Sequence, residues 1–198
     1  MEILLNGTPK TLKLETITTL GDIIDKVLPP GQVVTEAVLN DKPLDEDWFQ
    51  NSAKIYLLDE DRLSFTVSDS TKEAHAALVQ SREFLADILT QFQLSADSFR
   101  VQDEATANSK FVNAIQNLRD YLKMLEEATF MLGRPLDKIK DRDIFFSQHI
   151  VVLCDKLDAV IKVQQDKDWV NLADQIEYEM IPSIKQIAIL YYILDIPA

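Results

Sequence analysis

The sequence predicts an α+β chain, a small strand-rich unit followed by an antiparallel four-helix bundle. Three observations predict it. Up to residue 67 the apolar residues come in short runs separated by turn signals such as Asn6-Gly7 and Asn40-Asp41-Lys42-Pro43. From residue 68 onward they recur at helical spacing over long stretches. Glycine is scarce, 4 in 198 residues, which disfavours Gly-rich phosphate loops and many-turned all-β folds and suits long helices. The domains are therefore read as 1–67 and 68–198.

In the first unit, Ile3-Leu4-Leu5, Asn6-Gly7 and Thr11-Leu12-Lys13-Leu14 form a hairpin signal, because Asn-Gly accepts the positive φ angles of a tight turn. Thr19 to Leu28 is amphipathic, with Leu20, Ile23, Ile24, Val27 and Leu28 on one face, and Pro29-Pro30-Gly31 stops it. Val33–Leu39 returns as a strand, and Leu63–Val67 closes the set.

The order ββαβ, an irregular stretch, then β resembles the ubiquitin-like β-grasp fold, and within it the small sulfur-carrier domains. The residues that carry the resemblance are Glu2-Ile3-Leu4-Leu5-Asn6-Gly7, Thr19-Leu20-Gly21-Asp22-Ile23-Ile24, Val38-Leu39-Asn40-Asp41-Lys42-Pro43-Leu44 and Asp59-Glu60-Asp61-Arg62-Leu63-Ser64-Phe65. The resemblance implies a fold rather than a chemistry. Carriers activate the carboxylate of a free Gly-Gly terminus; here the chain runs on past Val67 and contains no Gly-Gly. A recognition scaffold is what remains.

The helical half opens on Ser70 and Glu73, spaced as a capping box. Leu78, Leu85, Ile88 and Phe92 form the inward face of a first helix ending near Asp97. The second, from about Glu104, carries Phe111, Ile115, Leu118, Leu122, Leu125 and Leu132, an a/d seam. Gly133-Arg134-Pro135 ends it. Asp137 is placed to cap a third helix with the seam Phe146, Ile150, Leu153, Leu157 and Val160. Asp168 is placed to cap a fourth, carrying Trp169, Leu172, Ile176 and Met180. Pro182 should kink this last helix or divide it in two.

The run Ile187, Ala188, Ile189, Leu190, Tyr191, Tyr192, Ile193, Leu194 is apolar on every face. A helix of that kind needs cover on more than one side. The cover can be the first domain, a second copy in a homodimer, or a partner protein; the β-branched and aromatic content also allows a terminal strand. Ile187, Ile189, Leu190, Tyr191, Tyr192, Ile193 and Leu194 are thus the candidate interface.

Net charge is −13, with −6 in residues 1–67 and −7 in 68–198. A field spread in this way repels phosphate, so nucleic acid and membrane surfaces are not expected partners. The longest apolar run is far shorter than the roughly 20 residues of a membrane helix. The lone Cys154 lies in an apolar run and is expected to be a buried thiol in a reducing, cytoplasmic setting. The N-terminus has no secretory pattern.

Little chemistry is encoded locally. His75 and His149 follow Lys72 and Phe146 by three residues, so no Glu-x-x-His pair exists for a di-metal bundle. Both histidines are expected at the surface or core rim. Asp174 and Glu177 share a helical face at i, i+3 and form a weak acidic cluster, with Glu179 pointing elsewhere. Asp45-Glu46-Asp47 and Asp59-Glu60-Asp61 read as loop carboxylates. No nucleophile elbow or nucleotide loop is present, and no cofactor is expected. The functional expectation is a non-enzymatic adaptor or scaffold with a protein partner. Two alternatives stand beside it: a helical chaperone loosely resembling the bacterial flagellar export type, and an enzyme with its site between the domains.

Overall fold

A computed structural model describes residues 1–10, 12, 18–45 and 48–196. Contacts divide the chain into two compact units, Met1–Glu73 and Ala74–Ala198. The fold class is α+β, a mixed sheet followed by a helical region.

The first unit contains β1 (Glu2–Leu5), β2 (Thr8–Lys10), β3 (Thr18–Thr19), α1 (Leu20–Val27), β4 (Gln32–Leu39) and β5 (Lys42–Pro43). It continues with α2 (Trp48–Asn51), a 3₁₀ turn at Ser52–Lys54, β6 (Tyr56–Leu57) and β7 (Arg62–Asp69). Five strands form one sheet in the order β2-β1-β7-β4-β5. The β1–β7 pairing is parallel and the others are antiparallel. Asn6 (φ 48°) and Gly7 (φ 73°) are both left-handed, as a two-residue primed turn requires. Such a turn pairs its flanking residues directly, Leu5 with Thr8, so the second strand starts at Thr8 and not at Thr11. Of the expected strand Thr11–Leu14, residues 11, 13 and 14 lie outside the described residues. Asn40 (φ 51°) and Asp41 (φ 61°) repeat the same device between β4 and β5.

A capping box starts α1. The Thr19 hydroxyl accepts the Asp22 amide at 3.2 Å, while the Asp22 carboxylate accepts the Thr19 amide at 2.9 Å. The helix lays Leu20, Ile23 and Ile24 against Ile3, Leu5, Ala37, Leu63, Phe65 and Val67 of the sheet. These alternate along β1 and β7 with outward residues, the period-2 pattern of a half-buried sheet.

Asp61 departs from the loop-carboxylate expectation. It is buried, accepting Asn40 Nδ2 at 2.7 Å on one oxygen and the Leu58 amide at 2.6 Å on the other. The Asn40 amide and the Leu58 N–H hold its carboxyl below the usual carboxylate range. Asparagine offers one acceptor where two are used, so Asp61→Asn is expected to cost about 2 kcal/mol at neutral pH. A lowered folded pKa contributes stability that is complete above the unfolded value near 3.8 and disappears as pH falls through the folded value. The wild-type advantage in thermal midpoint should therefore be full at pH 7 and shrink towards pH 2–3 (roughly the range below the free Asp value); a pH-independent difference would contradict this.

The first long helix, α3 (Ser70–Arg100), follows β7 without a linker, and the helical unit takes it up from Ala74. Its cap is Asp69, whose carboxylate accepts the Lys72 amide at 2.9 Å; Ser70 is already helical, so the Ser70–Glu73 capping box is not the one used. The helix runs to Arg100, one turn past Asp97. Next comes α4 (Glu104–Met131), antiparallel to α3, since Ser98 meets Lys110 and Gln91 meets Asn117. Gly133 (φ 68°) closes α4 in a Schellman turn, with Gly133 N–H on Phe130 O and Arg134 N–H on Thr129 O, both at 2.9 Å.

Asp137 does not cap the third helix. It lies in a 3₁₀ turn at Leu136–Lys138, followed by a small hairpin, β8 (Lys140–Asp141) and β9 (Ile144–Phe145). Only then does α5 (Phe146–Gln165) start, with the expected seam inward. Cys154 is exposed, not buried. It directly follows the seam residue Leu153, and one residue of helix turns it about 100° away from the core.

The last segment comprises α6 (Trp169–Gln175), a π turn (Ile176–Met180), α7 (Ile181–Ile187) and α8 (Ile189–Ile193). Asp168 caps it, accepting the Asn171 amide at 3.2 Å. Pro182 has no N–H to give Tyr178, and the π turn absorbs the defect: Ile181 N–H bonds to Ile176 O, five residues back. The inserted residue resets the helical register. Met180, Ile181, Ile184 and Ile187 all reach the same core as Leu172 and Ile176. The helix therefore neither veers to a second surface nor simply breaks.

Candidate functional site

Of the candidate interface residues, Ile187, Leu190, Tyr191 and Leu194 are buried in the helical unit's own core, and Ile189 and Ile193 pack against it. Tyr192 alone stays open, 85% exposed. The apolar surface expected to meet another domain, a second copy or a partner is spent within the helical unit. The local reason is the end of α8: Asp195 (φ 55°) turns the chain back, with Asp195 N–H on Tyr192 O at 3.2 Å and Ile196 N–H on Tyr191 O at 2.9 Å. This second Schellman turn folds Ile196 into the core.

Tyr191 is the middle member of a buried hydroxyl chain. Its phenol lies 2.6 Å from Ser81 Oγ and 2.8 Å from the Tyr121 hydroxyl. Burial pushes both phenols above their ordinary range. They remain neutral and act as hydrogen-bonding groups in an otherwise apolar core. Arg82 lies on the outer side, its guanidinium carbon 4.8 Å from the Tyr191 ring centroid and its Nη2 donating to Ile196 O at 2.5 Å. A cleft of about 640 Å³ opens here. Sequence reading does not single out Ser81, Arg82 or Tyr121: each is an ordinary residue on its own helix, and the partner is up to 114 positions away.

Asp174 and Glu177 do share a face, and Arg100 occupies it. Its Nη2 lies 2.9 Å from Asp174 Oδ1 and contacts Glu177 Oε2, and Nη1 lies 3.8 Å from Asp97. Asp174 first, then Glu177, raises the Arg100 pKa. The cluster ties the end of α3 to the start of the π turn. Glu179, on another face, contacts Lys156 of α5. Among the described residues no three His, Cys, Asp or Glu are grouped to hold a metal ion. His75 is exposed, and His149 lies at the core rim, 4.0 Å from Asp141.

In the first unit, α1 and α2 border a groove of about 360 Å³. Ile24, Leu28, Phe49 and Ala53 supply its apolar lining, and Asp22 and Asp25 its acidic residues. Phe49 is 62% exposed although its ring lies edge-on to Trp48 at 5.5 Å. The Thr19 amide and hydroxyl hold the Asp22 carboxyl below the usual carboxylate range. Of the other acidic loop, Glu46 and Asp47 lie outside the described residues.

The chain is thus an α+β protein in which a strand-rich unit precedes a core-packed helical unit, and no described helix is long and apolar enough to cross a membrane. It belongs to the family described as Domain of unknown function (DUF8042), whose model matches residues 76–189. The match covers the helical unit from the second turn of α3 to the start of α8 and leaves the sheet outside. No curated protein and no solved structure matches the chain.

Proposed function

We propose that the protein is a non-enzymatic adaptor or scaffold of the cytoplasm, in which a β-grasp unit recognises a protein partner and the DUF8042 helices carry it. The parallel β1–β7 pairing and the packing of α1 on one sheet face support the β-grasp reading. The single exposed cysteine suits a reducing compartment.

The observation that carries recognition is the groove at Phe49. A large aromatic ring left 62% exposed beside Leu28 and Ile24 loses nothing by being covered. The carboxylates of Asp22 and Asp25 select what covers it. The partner is a helix or extended segment with an apolar anchor flanked by Lys or Arg. Three copies of the full chain, unchanged, Phe49→Asp and Asp25→Lys, should be used as bait, with complex mass read by light scattering. The expected result is one stoichiometric partner, lost with Phe49→Asp and released more easily by salt with Asp25→Lys, at unchanged thermal midpoint. Equal capture by all three baits would refute the groove.

A further inference from the structure

We infer that the cleft at the end of α8 binds a free α-amino acid with an apolar side chain, held as a zwitterion. This site lies in the helical unit and does not depend on the Phe49 groove. Its volume, about 640 Å³, falls within the range of ligand pockets, roughly 300–1,000 Å³. Leu85, Ala188 and Ile196 form apolar lining, and Tyr192 stands exposed at its edge.

Two opposite charges line the same cleft, Arg82 and Asp195. Among the described residues neither forms an ion pair, with the other or with any third group. Unpaired charges of both signs beside apolar surface match a ligand that carries both signs and an apolar group. The guanidinium is held in place before any ligand arrives, by the Tyr191 ring and by Ile196 O. A ligand carboxylate entering the cleft meets the guanidinium through its Nη donors. Asp195 is fixed by the left-handed turn that ends α8 and offers an exposed carboxylate to an ammonium group. The side chain of the ligand then lies over Leu85, Ala188 and Tyr192.

The test is a nuclear magnetic resonance titration of the full chain with L-phenylalanine at millimolar concentrations, following the Arg82 Nε–H and Tyr192 amide signals. Saturable shifts of both are expected. N-acetyl-L-phenylalanine, which lacks the ammonium, and L-phenylalanine amide, which lacks the carboxylate, should each bind about tenfold more weakly or worse, the ratio for losing one charge-assisted contact. Among the described residues the Asp195 side chain makes no hydrogen bond or ion pair, and Asp195→Asn keeps a residue that tolerates the left-handed turn, so it should fold normally and should erase the preference over the acetylated analogue. Absence of saturable shifts, equal binding of the three compounds, or unchanged L-phenylalanine affinity in Asp195→Asn would each overturn the proposal.

Discussion

Replacing Leu190 by Asp is expected to unfold the helical unit, at a cost above about 4 kcal/mol, whereas Tyr192→Asp two residues away should change stability by less than about 0.5 kcal/mol. Leu190 has no exposed surface and lies among the core residues of the helical unit, so a carboxylate there has neither water nor a partner. Tyr192 points to solvent. The pair separates two accounts of the apolar C-terminal run. If that run were a free interface, both substitutions would spare folding and disturb assembly. If it is core, as the burial indicates, Leu190→Asp abolishes the cooperative helical melt by circular dichroism and Tyr192→Asp leaves it intact. A folded Leu190→Asp protein with normal midpoint would contradict the packing described here.

Phe111→Ala is expected to destabilise the helical unit by about 4 kcal/mol, within the range for emptying a buried aromatic site. Phe111 is 1% exposed and meets two rings edge-on, Phe92 at 6.0 Å and Phe99 at 6.3 Å, while Phe99 stacks on Trp169 at 5.4 Å. This aromatic series joins α3 and α4 to the start of α6. Its rings cannot collapse into the void without losing their mutual geometry, so the cavity term should be near its upper end. Val112→Ala, one residue along on the solvent side, is the control and should be close to neutral. Denaturant unfolding checks both; a Phe111→Ala loss below about 1.5 kcal/mol would mean that the site relaxes.

The division into a strand-rich half and a helical half was legible because hydrophobic period is a local property. The change from short runs to heptad seams at residues 68–70 marks where β7 gives way to α3. Turn chemistry was legible for the same reason: Asn6-Gly7, Asn40-Asp41 and Gly133 all adopt the left-handed angles that their residue types favour. The errors have a common form. The Ser70 cap and the Asp137 cap each assigned a role to a competent residue when a nearer or stronger competitor, Asp69 or the β8–β9 hairpin, held the position.

By itself, then, the sequence determined which faces of which segments are apolar, where strands give way to helices, and that the net charge of −13 is spread over both halves. Only the tertiary structure decided what covers those faces. Ile187–Leu194 is closed inside the helical unit because the π turn before Pro182 keeps the segment in register with one core. Asp61 turned inward because Asn40, on a different hairpin, supplied a donor. Arg82 acquired a cleft because Tyr191 and Ile196, more than a hundred positions away, fold back beside it. Pattern along a chain reports an element's own preference; a site depends on which distant elements converge, and that is set by packing over the whole core.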